Sequence, residues 1–219
     1  MGLNPRAVIF DMDGLLLDSE PLYRVTWKAA GSSLGFPIDD ELYEHFVGRG
    51  NDESERILAS HFGEAFPLDE FRCRWRRDWD GRLAAQPLAR KPGAMELLDV
   101  LEERHIPKAL ATSSPRDLAL RCLGDLADRF AALAFGDEVS HSKPAPDLFL
   151  LASERLGIPP ADCLVLEDSE AGVRASRAAG MEVIMVPDLV PPSEEIVAVA
   201  ARVCKSLDEV IVIVRGCEE

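Results

Sequence analysis

Apolar and polar positions follow two rhythms along this chain. Ala7-Val8-Ile9-Phe10 is apolar without a break and runs directly into Asp11-Met12-Asp13-Gly14. Such a run predicts a short strand buried on both faces, as in the middle of a parallel sheet. Comparable runs recur at Pro107–Thr112, Ala131–Phe135, Cys163–Leu166 and Val183–Val186. Amphipathic segments stand between them. Met95 to Arg104 turns Leu97, Leu98 and Leu101 inward, and Ser114-Pro115 opens a further helix with Ser114 as its cap. Leu148, Phe149, Leu151 and Ala152 mark another, which Gly157 ends. Glu170 to about Ala179 is a helix that Gly180 closes. Strands alternating with helices predict a Rossmann-like α/β fold, a parallel sheet with helices on both faces.

Residues 19–85 break this rhythm. Ser19 with Pro21 starts a helix carrying Leu22, Val25, Trp27, Ala29 and Ala30 on its packed positions. Leu42 and Phe46 share a face, as do Ile57, Leu58 and Phe62, and Phe71, Trp75 and Trp79 recur every four residues. That stripe predicts packed interior, and Arg72, Arg74, Arg76 and Arg77 alternating with it predict a solvated face. The expected organisation is an α/β core of residues 1–18 and 86–219 interrupted by an all-helical insertion, 19–85. The chain returns through the proline-rich stretch Gln86 to Gly93, and two adjacent crossings fit a hinge.

Charge narrows the function. The net charge of −15, from 24 basic and 39 acidic residues, argues against a nucleic-acid backbone or an anionic membrane as partner. An anionic substrate would need a local cation. Cys73, Cys122, Cys163, Cys204 and Cys217 are scattered and form no C-x-x-C pair, so they read as buried thiols of a reducing compartment. Asp11 interrupts the first apolar run before it reaches signal-peptide length. The expectation is a soluble, cytoplasmic monomer with no membrane span.

Candidate chemistry sits at the strand ends. Asp11 and Asp13 follow the first strand, Thr112-Ser113-Ser114 the second, and Glu167-Asp168 a later one, with Lys143 on a proline-rich turn between them. In a parallel sheet these ends converge on one edge, where ligands of open α/β sheets bind. Two carboxylates one residue apart repel each other and call for compensation. A hard cation such as Mg²⁺ supplies it and keeps positions open for phosphate. Gly14, lacking a Cβ, lets the backbone approach a ligand closely. An EF-hand is excluded, since no third ligand precedes the glycine and no Glu closes a loop of the right length. Taken singly, each feature has a plainer explanation: a turn, a strand end, an exposed lysine, acids serving a helix start. Four of them in this order weigh against coincidence.

FDMDGLLLDSE, ALATSS, SKPAPDLF and LVLEDSEAGV together resemble, in order, the motifs of the haloacid dehalogenase superfamily of phosphatases. The likeness covers nearly the whole α/β core and is closest to the branch of β-phosphoglucomutase and pseudouridine-5′-phosphatase. That branch carries a helical cap inserted just after the first motif. The resemblance implies Asp11 as nucleophile, forming an aspartyl-phosphate, and Asp13 as general acid/base. It implies Thr112, with Ser113 beside it, and Lys143 on the phosphoryl group. Asp11, the Asp13 carbonyl and Asp168 would hold Mg²⁺, with Glu167 a supporting or alternate ligand. The substrate would be a small phosphorylated metabolite, a sugar phosphate or a nucleotide monophosphate.

Alternatives separate on single residues. A phosphosugar mutase resembles this chain in its core, but where the mutase family places a His and an Arg in the cap, this sequence has Tyr23 and Asn51, with Arg49 nearby. A non-enzymatic phosphate-binding protein would lack Asp11 or Asp13. A dehalogenase has no use for the second aspartate. A phosphonatase would need a cap lysine, for which Lys28 is the sole candidate in residues 19–85.

Overall fold

The computed structural model describes residues 5–47 and 50–216. The chain enters through β1 (Ala7–Phe10) and then forms α1 (Glu20–Ser33), α2 (Asp40–Glu44), α3 (Asn51–Phe62) and α4 (Leu68–Ala85). It continues with α5 (Ala94–Glu103), β2 (Lys108–Thr112), α6 (Arg116–Leu123), β3 (Ala132–Phe135) and α7 (Asp147–Leu156). Last come β4 (Cys163–Glu167), α8 (Glu170–Ala178), β5 (Glu182–Met185), α9 (Glu194–Val199), β6 (Arg202–Val203) and α10 (Leu207–Arg215). Two compact units result, Met1–Leu17 with Arg90–Glu219, and Asp18–Ala89.

The first unit is built on a parallel sheet in the order β3-β2-β1-β4-β5-β6. Every residue of β1 is buried, which is why its pattern is apolar without alternation. Ile9, Ala109, Ala111, Val165 and Val183 pack with Leu148, Phe149, Ala152, Val173 and Ala175 in one continuous core. Elsewhere in the unit α5 packs on α10, and Leu97, Leu98 and Leu101 of α5 and Val210 and Val214 of α10 are buried. The order of the strands reverses between β1 and β4. Chains of this topology leave a crevice at the carboxyl ends there.

Register fixes what stands in that crevice. Phe10 pairs with Leu110 on one side and Leu166 on the other. The next residue, Asp11, donates its N–H to the Leu166 carbonyl at 3.0 Å and so lies beside Glu167. The chain then turns tightly, with Gly14 N–H donating to the Leu17 carbonyl at 2.9 Å. Leu15, Leu16 and Leu17 are buried and anchor the turn.

The helical unit closes on its own aromatic core. Trp27, Phe71, Trp75 and Trp79 are buried where α1 packs on α4, and Phe36, Phe62 and Phe66 stack together. Val25, expected inside, is 46% exposed because α1 buries Thr26, Trp27, Ala30 and Gly31 instead. The arginines of α4 are not simply solvated. Arg72 pairs with buried Glu55 at 2.6 Å, Arg74 with Glu70 at 2.5 Å, and Arg76 lies over the Trp75 ring.

Two further expectations are corrected. Cys73 is exposed, on the outer face of α4; Cys122, Cys163 and Cys204 are buried free thiols, and Cys217 lies outside the described residues. Ser114 does not cap α6, since that helix begins after Pro115 and takes no side-chain cap. Among the described residues, no helix is long and apolar enough to cross a membrane.

Glu138 ties the end of β3 to two helices. It accepts from Arg116 of α6 at 2.6 Å, from Arg155 of α7 at 2.7 Å and from the Phe135 N–H at 3.1 Å. Arg155 first, then Arg116, hold its carboxyl down at about 2 against an ordinary 4.5. A depressed carboxyl contributes stability that is complete above its ordinary value and is lost as pH falls through the folded one. Glu138→Gln should cost about 1–2 kcal/mol at pH 7. Its deficit against the parent should shrink between pH 4.5 and pH 2, as urea unfolding across that range would reveal.

Candidate active site

Lys143 is the element around which the site assembles. Its side chain is only 7% exposed, whereas a loop lysine is ordinarily in water. Nζ donates to Asp11 Oδ1 and to Glu167 Oε1, both at 2.5 Å, and to the Ala111 carbonyl at 3.2 Å. The Phe149 ring lies 4.9 Å beneath it. Asp11 directly follows β1, Ala111 lies in β2 and Glu167 in β4, so one ammonium group joins three adjacent strands at their ends.

Glu167 is fully buried and is held by Ser169 as well as by Lys143. Ser169 donates to its Oε2 through both its N–H, at 3.2 Å, and its hydroxyl, at 2.9 Å. The same hydroxyl accepts from the Gly172 N–H and caps α8. Gly172 itself leaves the room: a Cβ there would lie 1.9 Å from the Glu167 carboxylate carbon.

Asp168 stands next to these groups. Oxygens of Asp11, Glu167 and Asp168 all lie within 4.8 Å of one another. Gly14 makes this possible with φ +81°, since a Cβ there would come within 2.3 Å of Asp168 Oδ2. The close approach expected of Gly14 is therefore to a neighbouring carboxylate.

The electrostatics show a shortage of positive charge. Burial pushes the Asp11 carboxyl up to about 8; Lys143 pulls it down, while Glu167 and Asp13 add to the rise. Burial, then Asp11 and Glu167, raise Asp168 well above the carboxylate range. Burial would lower Lys143, but Asp11 and Glu167 outweigh it and hold the ammonium form. Three crowded carboxylates offering hard oxygen donors fit a divalent cation such as Mg²⁺.

On the β2 side, buried Thr112 accepts the Ser114 N–H on its hydroxyl oxygen at 3.1 Å. Ser114, also buried, donates its hydroxyl to Asp13 Oδ2 at 3.0 Å. The sequence reading of Ser114 as a helix cap missed this contact with Asp13. Ser113 is exposed, and its carbonyl lies 2.0 Å from where a Cβ on Gly136 would be, so backbone rather than side chain fixes it. Asp11, Asp13, Thr112, Lys143, Glu167 and Asp168 thus gather at one end of the sheet. The Asp13 carboxylate stands apart from the three-oxygen cluster, turned toward Ser114.

The remaining candidates lie in the helical unit. Tyr23 packs 4.2 Å from Trp79, and Asn51 opens α3. Lys28 is engaged by Asp40 at 2.8 Å. Arg49 lies outside the described residues.

A parallel α/β sheet with paired aspartates, a buried lysine and acids gathered where the strand order reverses is the framework of a phosphoryl-handling hydrolase. The chain belongs to the haloacid dehalogenase-like hydrolases, whose family model matches residues 5–180. It is 38% identical over 178 residues to the phosphorylated carbohydrates phosphatase of Thermotoga maritima, across 80% of this chain and 82% of that protein. It is 37% identical to the "probable pseudouridine-5'-phosphatase" of Drosophila melanogaster, across 82% of this chain and 80% of that protein. Among solved structures, a mutant of CbbY from Rhodobacter sphaeroides in complex with xylulose-(1,5)-bisphosphate superposes with a TM-score of 0.82. That match has 27% identity and covers 94% of this chain and 96% of that one. The protein is accordingly a phosphatase of the haloacid dehalogenase-like family.

Gly172→Ala places a methyl group onto Glu167 and should cost about 1–3 kcal/mol of stability. The displaced carboxylate should also lower kcat/KM by roughly 10–100-fold, as loss of a supporting partner does. Thermal melting together with aryl-phosphate turnover checks both; parent-like values in each would show that Glu167 tolerates the shift.

Proposed function

We propose that this phosphatase hydrolyses a small phosphorylated metabolite, a phosphorylated carbohydrate foremost, through an aspartyl-phosphate on Asp11 with Mg²⁺ bound. The observation that carries this reading is the Asp11 carboxylate, anchored through Oδ1 by a buried lysine at the strand-order reversal. One oxygen held in this way leaves Oδ2 to attack phosphorus in line. The phosphorus–oxygen ester bond breaks as the new bond to Asp11 forms. Asp13, steadied by Ser114, gives its proton to the departing alkoxide. Water then attacks the aspartyl-phosphate, Asp13 takes its proton back, and inorganic phosphate leaves with Asp11 restored.

Thr112 accepts a hydrogen bond from a backbone N–H, so its own hydroxyl proton is available to a phosphoryl oxygen. Lys143 offsets charge on both nucleophile and phosphate. Asp11, Asp168 and the Asp13 carbonyl would hold Mg²⁺, with Glu167 in support. When bound, the cation neutralises the carboxylates and phosphoryl oxygens that would otherwise repel each other. The carbohydrate preference is supported by the likeness to the Thermotoga phosphatase and to the sugar-bisphosphate complex. A nucleotide monophosphate remains the second substrate class, on the likeness to the Drosophila protein.

Turnover of a panel of phosphorylated sugars and nucleotides, read as phosphate release with and without Mg²⁺, tests this. With β-glucose 1-phosphate, free phosphate is expected; glucose 6-phosphate as the main product would instead make the protein a mutase. Asp11→Asn should lower kcat roughly a thousandfold or more while the melting temperature stays close to the parent's. Turnover unchanged in that variant would remove Asp11 from its role.

Asp13→Asn should lower kcat by about 10²–10⁴-fold for alkyl phosphates, whose leaving group needs a proton. It should cost less for an acidic nitrophenol leaving group. An equal loss across leaving groups of very different acidity would contradict an acid role.

A further inference from the structure

A second charged pair lies against the carboxylate cluster, and neither member was singled out by the sequence. Lys91 Nζ donates to Asp188 Oδ1 at 2.6 Å across 97 residues of sequence. The side chains are 23% and 11% exposed, so the pair is largely withdrawn from water. Lys91 also donates its N–H to the Leu16 carbonyl at 2.9 Å, which fastens it to the turn after β1. Asp188 follows β5, whose ladder with β4 is extended by Val186 N–H donating to the Glu167 carbonyl at 2.7 Å. Asp188 therefore comes off the same sheet edge as Asp11 and Asp168.

Its two oxygens face different surroundings. Oδ1 takes the lysine. Oδ2 lies 3.3 Å from the point where a Cβ on Gly14 would stand, and Asp168 Oδ2 lies 2.3 Å from that same point. Asp168 Oδ2 and Asp188 Oδ2 thus both border the space a side chain on Gly14 would fill, while Lys91 donates to the other oxygen of Asp188. Asp188 accordingly adds to the upward push on Asp168. Pinning the turn alone does not account for an Asp188 oxygen at the edge of the space beside Asp168 Oδ2.

We propose that Asp188, oriented by Lys91, is a positioning residue for the metal site, an outer partner that accepts hydrogen bonds from water on the cation held by Asp168. The proposal rests on the reading of Asp11, Glu167 and Asp168 as a magnesium site. Ligand-supporting groups of this kind tune affinity through charge and orientation without touching the metal.

Calorimetric titration of Mg²⁺ into the full-length protein tests it, alongside melting of the metal-free forms. Asp188→Asn should weaken Mg²⁺ binding about 10–100-fold. Lys91→Met removes a positive charge and keeps the negative one, so it should bind Mg²⁺ at least as tightly as the parent. Both variants lose the ion pair and should melt at similarly lowered temperatures. A purely structural pair would move metal affinity in the same direction in both. Parent-like affinity in Asp188→Asn, or an equal loss in Lys91→Met, overturns the proposal. Asp168→Asn is the control for the underlying site. If it binds Mg²⁺ as the parent does, or if the parent binds none, the magnesium site itself fails and Asp188 falls with it.

Discussion

A single buried ammonium group, 2.5 Å from Asp11 and 2.5 Å from Glu167, is the interaction on which the rest of the sheet edge depends. An ion withdrawn from water costs several kcal/mol unless partners replace its hydration, and removing one partner of a buried pair costs about 3–5 kcal/mol. Lys143 meets that demand with two carboxylates, a carbonyl and an aromatic face. It does not meet the demand of the carboxylates in return. Asp11, Glu167 and Asp168 together carry more negative charge than one lysine cancels, and burial, with Glu167 and Asp13 adding to it, pushes the Asp11 carboxyl up to about 8. A phosphate ester brings still more negative charge into the same space. On the proposed reading one deficit underlies both metal binding and phosphate handling, and a divalent cation would address both.

Topology and two glycines create that deficit. β1 lies between β2 and β4, so its first residue past the ladder falls beside Glu167 without any long side-chain reach. Gly14 and Gly172 then let Asp168 and Glu167 approach to distances at which any Cβ would overlap them. Their absent side chains set the spacing of the site as firmly as its charged ones do. The second lysine pair, Lys91 with Asp188, extends the same logic one strand further along the edge.

Much of this was legible in the chain itself. Strands buried on both faces announce themselves as unbroken apolar runs, and the order of polar residues at their ends pointed to Asp11, Asp13, Thr112, Lys143, Glu167 and Asp168. What stayed hidden depends on approach between distant segments. Ser114 has the local context of a helix cap, and only the fold turns its hydroxyl to Asp13, 101 residues away. Nothing near Gly172 in sequence shows that a carboxylate occupies the space of its side chain. Asp188 looks like an ordinary turn residue after Val186-Pro187 until Lys91 is set against it. In α10, the alternating Val210-Ile211-Val212-Ile213-Val214 has the composition of a strand. It is helical because Leu207, Val210, Ile211 and Val214 fall on one face, which packs against α5, and tertiary burial outweighs local propensity. β6 is two exposed residues long and leaves no pattern to read.

Every group assigned to the phosphoryl chemistry lies in the unit made of Met1–Leu17 and Arg90–Glu219. Several described cations of the helical unit form pairs within it. Arg24 and Lys28 share Asp40, Arg72 takes Glu55, Arg74 takes Glu70 and Arg82 takes Asp78. The buried cation of the sheet edge is Lys143, 7% exposed, whereas these arginines are each about 40% exposed or more. Reaction class is therefore encoded in strand ends whose spacing is rigid, and these are the positions that sequence motifs capture. The groups assigned at the sheet edge act on the phosphoryl group and the metal, so they define reaction class without naming the esterified alcohol. This asymmetry explains why the chain falls in one reaction class while resembling relatives named for different phosphorylated compounds.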